Sequence, residues 1–185
     1  MEFCLTYNGP LRSQGDAKHK HAIRRALHPQ MKELWRLLNL ELQLPHLQVI
    51  KDGFGVVSLA FPVGEYVFLP FVTARLKHIA ELDILFLRRQ EPGSIATTGG
   101  DIDNRIKTPL DALRIPKVTA EIPPDAPPSL DENPFCCLLE DDVLITKLAI
   151  VTDRWLEPGD PSDVRLTIRV QVKPTTLIWD EMMKV

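Results

Sequence analysis

Several things are scarce in this 185-residue chain, and each scarcity excludes a class. There is no apolar run long enough to cross a bilayer, and the opening MEFCLTYNGP has no basic segment leading into an apolar stretch, so neither a membrane span nor a secretory leader is expected. Cysteine is limited to Cys4, Cys136 and Cys137, an odd number that includes a vicinal pair, which excludes a disulfide framework and makes the reducing cytoplasm the default location. Aromatic residues make up only 6% and no internal repeat occurs. What remains is ordinary for a globular protein: 44% apolar and 25% charged residues, with length for one domain over 1–185 and a core that needs no staples.

Charge is informative once it is divided by region. Residues 11–36 hold seven Lys and Arg against two acids, a net +5, with His19, His21 and His28 besides. Residues 121–142 hold seven acids and no Lys or Arg, a net −7. Such asymmetry suits a chain that holds a polyanion at one place and does acid-dependent chemistry at another, and it equally suits two solvated surfaces.

The pattern of elements predicts an α+β fold, a small mixed sheet packed against helices. Residues 3–7 alternate as a short strand stopped by Asn8-Gly9-Pro10. Asp16 is placed to cap a helix whose stripe runs through Ile23, Leu27, Met31, Leu34, Trp35 and Leu38, with a kink or restart expected at Pro29. Strands are expected at 56–61 and 66–73, the second marked as an edge or bulge by Pro70, and again within 79–89. A Gly/Ser/Thr loop over 90–100 leads into a helix over 101–113. Residues 114–134 carry six prolines and read as an irregular insertion. Residues 144–152 and 164–172 read as a hairpin-like pair around Glu157-Pro158-Gly159-Asp160-Pro161, the second strand directing Val164, Leu166, Ile168, Val170 and Val172 inward. Cys136, Cys137 and Trp35 are expected in the core, while Trp155 and Trp179 have no evident place; Arg165 and Arg169 face away from the inward row.

The chemistry-bearing stretch is Asp101-Ile102-Asp103-Asn104-Arg105-Ile106-Lys107, with Asp111-Ala112-Leu113 closing the helix. Carboxylates two residues apart point together only where extended chain enters a helix, and Gly99-Gly100 followed by the stripe from Ile102 puts that junction here. Lys107 lies four residues after Asp103, on the same helical face. The plainer reading makes Asp103 an N-cap and Asp103–Lys107 a surface ion pair. A second acidic group, Glu140-Asp141-Asp142, follows an apolar run and reads either as a solvated turn or as the other half of a site of hard oxygen ligands for Mg²⁺.

Taken together these residues resemble the motif of the RusA family of Holliday junction resolvases, over roughly residues 80–113 and 138–173. In that family an Asp-x-Asp-Asn-x-x-Lys segment opens a helix ending in Asp-Ala-Leu, and an Asp-Asp pair at a later turn completes the acidic site. The chain departs from the family in its length, in Ser94-Ile95-Ala96-Thr97-Thr98-Gly99-Gly100 where basic residues are usual, and in the proline-rich insertion. The resemblance implies a homodimeric, Mg²⁺-dependent endonuclease acting on four-way DNA junctions. It implies Asp101, Asp103 and Asp142 as metal ligands, Asp141 as a supporting carboxylate, and Lys107 as the cation facing the scissile phosphate. Arg12, Lys18, Lys20, Arg24 and Arg25 are the expected DNA contacts. The rival readings are a DNA-binding relative without catalysis and a protein–protein interaction module that docks through the acidic insertion.

Overall fold

The computed structural model describes residues 1–12, 15–38, 48–51, 55–89 and 102–175, of which 48–51, 55–57 and 102–105 are described by backbone alone. The chain runs β1 (Glu2–Pro10), α1 (Ala17–Leu37), β2 (Gln48–Lys51), β3 (Gly55–Ser58), β4 (Phe61–Val63), β5 (Tyr66–Val72), β6 (His78–Arg88), α2 (Ile102–Leu113), β7 (Phe135–Leu139), β8 (Ile145–Arg154) and β9 (Asp163–Pro174). It is an α+β fold with a four-stranded sheet in the order β1-β9-β6-β8, a three-stranded sheet β4-β5-β7, and the small β2-β3 ladder. No helix among the described residues is long and apolar enough to cross a membrane.

Alternation places the core. Leu82, Ile84 and Phe86 of β6 and Leu166, Ile168 and Val170 of β9 turn the same way, and with Leu69 and Val72 of β5 they enclose the α1 stripe Ile23, Leu27, Met31 and Trp35. β7 is buried on both faces: Cys136 and Leu138 join this core, whereas Phe135 and Cys137 join a second cluster with Tyr66, Phe68 and Ile115 beneath the insertion. Burial pushes the Cys136 thiol up to about 12 and raises Cys137 as well, so both are packing groups without nucleophilic character.

Local expectations change at several places, among them the strand expected over 56–61, which divides into β3 and β4. Residues 144–152 and 164–172 are not a hairpin: β6 lies between β8 and β9, antiparallel to β9 and parallel to β8. The strongest strand in the sequence thus takes the centre, where it buries one full face. Pro70 lies in the middle strand of its sheet, but β4 pairs only as far as Phe68, so its missing N–H falls where β5 has no neighbour on that side. Pro29 neither breaks nor restarts α1, which runs through it with Pro29 exposed and with Asp16 capping the His19 N–H at 2.7 Å. Strand β1 also continues past Asn8 to Pro10.

Candidate metal and nucleic-acid site

Two tethers bring the second acidic group to α2. The Ile115 N–H donates to the Leu139 carbonyl at 2.9 Å and Arg114 bridges Leu139, so the chain leaving α2 is stitched to the end of β7. The 3-10 turn Asp142–Leu144 then lies against α2. Asp141 caps this turn by accepting from the Val143 N–H at 3.1 Å. Its other oxygen lies 2.9 Å from Lys117 Nζ, which is also 3.7 Å from Asp142. A hydrogen bond shared with Asp142, followed by the Lys117 ammonium, holds the Asp141 carboxyl well below the usual carboxylate range. Asp142 is exposed and Asp141 partly so.

The register within Glu140-Asp141-Asp142 is set by packing. Glu140 accepts from the Thr73 hydroxyl and from the Ala74 N–H at 3.0 Å, which commits it to holding the β5–β6 turn. Asp141 and Asp142 are therefore the pair presented to solvent. Lys107 is exposed on α2, immediately before Thr108 and one turn before Asp111, which are buried against the loop at Gly15 and against Lys20 of α1. Asp101 lies outside the described residues, and Asp103 is described only as a backbone position in the first turn of α2. Among the described residues no three His, Cys, Asp or Glu side chains gather as a metal-binding group. Asp141 and Asp142 offer hard carboxylate oxygens of the kind Mg²⁺ takes, on a solvent-accessible turn that touches α2; their cation Lys117 lies just past the C-terminal end of α2, whereas Asp103 stands in its first turn.

The basic segment is largely spent inside the molecule. Arg24 is 2% exposed and donates to the carbonyls of Asp111 at 2.9 Å, Arg114 at 3.2 Å and Glu121 at 3.4 Å, which removes it from any DNA path. Arg25 grips both oxygens of Glu132, at 2.7 and 3.0 Å, and donates to the Pro127 carbonyl and the Tyr66 hydroxyl. Lys20 binds Asp111 at 2.6 Å and Lys32 binds Asp131. Lys18 reaches Asp125 at 3.3 Å but remains mostly in solvent, and Arg12 is exposed. The four acids of 121–132 thus face cations of α1, and the opposite charges of the two segments neutralise one another. Of the expected DNA contacts, Arg12 and Lys18 keep the access such contacts need.

The histidines follow the same inward logic. His21 stacks on Phe135, meets Tyr66 edge-on and is hydrogen-bonded to the Tyr66 hydroxyl at 3.1 Å. Burial, then Arg25 and Arg24, push it down to about 4. His28 Nδ1 accepts from the Cys136 N–H at 2.9 Å. Arg165 and Arg169 do face outward, each held by an acid, Glu157 and Glu2 respectively. Trp155 is sandwiched by Arg89 and Arg165, whose guanidinium carbons lie 3.7 and 4.8 Å from its ring centroid, so it pins the 155–162 loop. Trp179 lies outside the described residues. Lys117 is the site residue that sequence reasoning missed; its only signal was position, one residue past Pro116 in a segment otherwise dominated by acids. Comparison with protein-family models, with curated proteins and with solved structures finds no match to this chain.

Proposed function

We propose that the chain is a RusA-like, Mg²⁺-dependent, structure-selective endonuclease that cuts four-way DNA junctions in recombination and repair, working as a homodimer. One observation carries the reading: the turn bearing the adjacent carboxylates Asp141 and Asp142 packs against the helix whose first turn bears Asp103. Asp101, Asp103 and Asp142 would hold the ion, with Asp141 supporting. Bound there, Mg²⁺ supplies Lewis-acid chemistry: it readies a water and shields the phosphate. Lys107, exposed one helical turn beyond Asp103, is available to balance charge that develops on the phosphate oxygens. Two symmetric cuts across a junction call for two such sites, hence a two-fold dimer.

A second reading is favoured by Lys117. With its ammonium 2.9 Å from Asp141, the three side chains also make sense as a structural ion cluster in a DNA-binding relative without catalysis. Purified protein incubated with labelled junction, linear duplex and single strand, with Mg²⁺ or EDTA, separates the two. The nuclease reading expects Mg²⁺-dependent cleavage of the junction alone. It expects loss of cleavage in Asp101→Asn, Asp103→Asn and Asp142→Asn with binding kept or tightened, and on the order of a hundredfold loss in Lys107→Ala. Wild-type protein that binds the junction and leaves it intact supports the ion cluster.

A further inference from the structure

The two edges of the four-stranded sheet are finished differently. At β1, Gln30 of α1 answers the outer backbone of Thr6, accepting from its N–H at 2.9 Å and donating to its carbonyl at 2.7 Å, and the strand ends on a proline. At β8, ten residues long, no described residue pairs the outer edge. Val151 is 61% exposed, Leu148 41% and Leu85 of the adjoining strand 38%. A long edge with exposed apolar side chains is a template for another strand. Strand β8 shifts register once against β6, between the pairs Ala80–Ile145 and Glu81–Lys147, and from Lys147 to Arg154 it runs without interruption.

The side chains along β8 say which strand fits. Register with β6 puts Lys147, Ala149, Val151 and Asp153 on the outer face and Leu148, Ile150 and Thr152 on the inner one. We propose that β8 is a dimer seam, in which two copies of this chain pair their β8 strands antiparallel about a two-fold axis through Ile150. In that register Lys147 lies opposite Asp153 of the partner subunit, and the relation repeats across the axis. Ala149 and Val151 face each other between the charge pairs and, with Leu85, close an apolar patch at the centre. A two-fold normal to the sheet keeps the faces matched, so the register can shift only in steps of two. A shift either way sets Lys147 opposite Val151 or Trp155 and loses both charge pairs. Strand β8 is thus complementary to itself in one register.

This names the seam of the dimer that the nuclease reading calls for, but it rests on that reading only for its purpose, since β8 pairing needs neither metal nor DNA. The test is a charge swap followed by analytical ultracentrifugation without nucleic acid. Wild type is expected to be dimeric. Asp153→Lys turns two attractive cross-strand pairs into like-charge pairs and is expected to weaken the dimer by at least about tenfold; Lys147→Asp does the same and also sets a carboxylate beside Asp83 of its own chain, which Lys147 holds at 2.8 Å. The double variant Lys147→Asp with Asp153→Lys restores opposite charges and is expected to return to within about threefold of wild type. Circular dichroism melts confirm that each species tested is folded, and Asp153→Lys serves if Lys147→Asp is not. A monomeric wild type at every concentration, single reversals that leave the dimer intact, or a folded double variant that stays monomeric each overturn the seam. Junction cleavage is scored separately, so a seam that fails with cleavage intact is distinct from a chain that dimerises and does not cleave.

Discussion

Within residues 121–142 Glu140 holds the β5–β6 turn, and the other six acids separate into two groups with opposite fates. Glu121, Asp125, Asp131 and Glu132 lie along the insertion and are matched one for one by cations of α1. Asp141 and Asp142 lie on the turn beside α2 and share a single ammonium, that of Lys117. The first group is a seam whose charges cancel and whose deepest member, Arg24, ties three carbonyls together. Among the described residues the second has one cation for two carboxylates, at a position open to solvent. The net −7 of this segment is thus mostly neutralised inside the fold, and the surplus that could attract a divalent cation is confined to two residues.

The largest effect that would break this contrast is expected at Arg24. Arg24→Met leaves the carbonyls of Asp111, Arg114 and Glu121 without this donor and leaves Glu121 to Arg114 alone, and should cost about 3 kcal/mol or more in urea denaturation. Asp142→Asn, which touches no such network, should leave the denaturation midpoint nearly unchanged. Equal losses from the two would mean that the turn is as structural as the seam.

Acid pH should open the seam before the turn. His21 sits at about 4 in the folded chain against about 6.5 when unfolded, so the unfolded state takes up the proton first. The stability this contributes is complete above pH 6.5 and is lost as pH falls towards 4. Glu132 adds to the decline lower down: burial alone would raise it, but Arg25 and the Ser129 N–H outweigh burial and hold it below its ordinary value. His21→Phe should flatten the wild-type loss of melting temperature between pH 6.5 and 4. An unchanged profile would remove His21 from the account.

DNA affinity sharpens the contrast among the cations. In the proposed nuclease, neutralising Arg12 and Lys18 together should lower the salt slope of junction binding by about one unit for each phosphate no longer neutralised. Arg25→Gln should leave the slope alone, because its charge is already answered by Glu132. The smallest effect is expected at Lys117. Lys117→Met should hardly move the melting temperature of the metal-free protein, as befits an exposed pair. It should tighten divalent-ion binding measured by titration calorimetry, since a competing cation has gone.

Much of this was legible without coordinates. The α+β class, the Asp16 cap, the inward row of β9 and the burial of Trp35 and the vicinal cysteines follow from periodicity and capping chemistry, which act over a few residues. The positions of Asp141 and Asp142 were legible too. That Glu140 is not one of the pair was not, because its partners Thr73 and Ala74 stand 66 or more residues away. The insertion read correctly as irregular, yet nothing local said that it would lie on α1.

Sequence alone determined most of the strands and both long helices, and which face of each is apolar, because those depend on backbone sterics and on the spacing of side chains along one element; it gave no sign of β2 and joined β3 to β4. It could not determine which charges stay free. Seven cations in 26 residues promised a basic surface, and only tertiary structure decided that Arg24 and Arg25 turn inward while Lys18 stays in water. The same holds for the sheet: the patterns of β8 and β9 suited a hairpin, but β6 had more apolar surface to bury and took the place between them. Pairing partners and counter-ions are settled by which distant elements can be buried together, and that competition is decided by the whole chain at once.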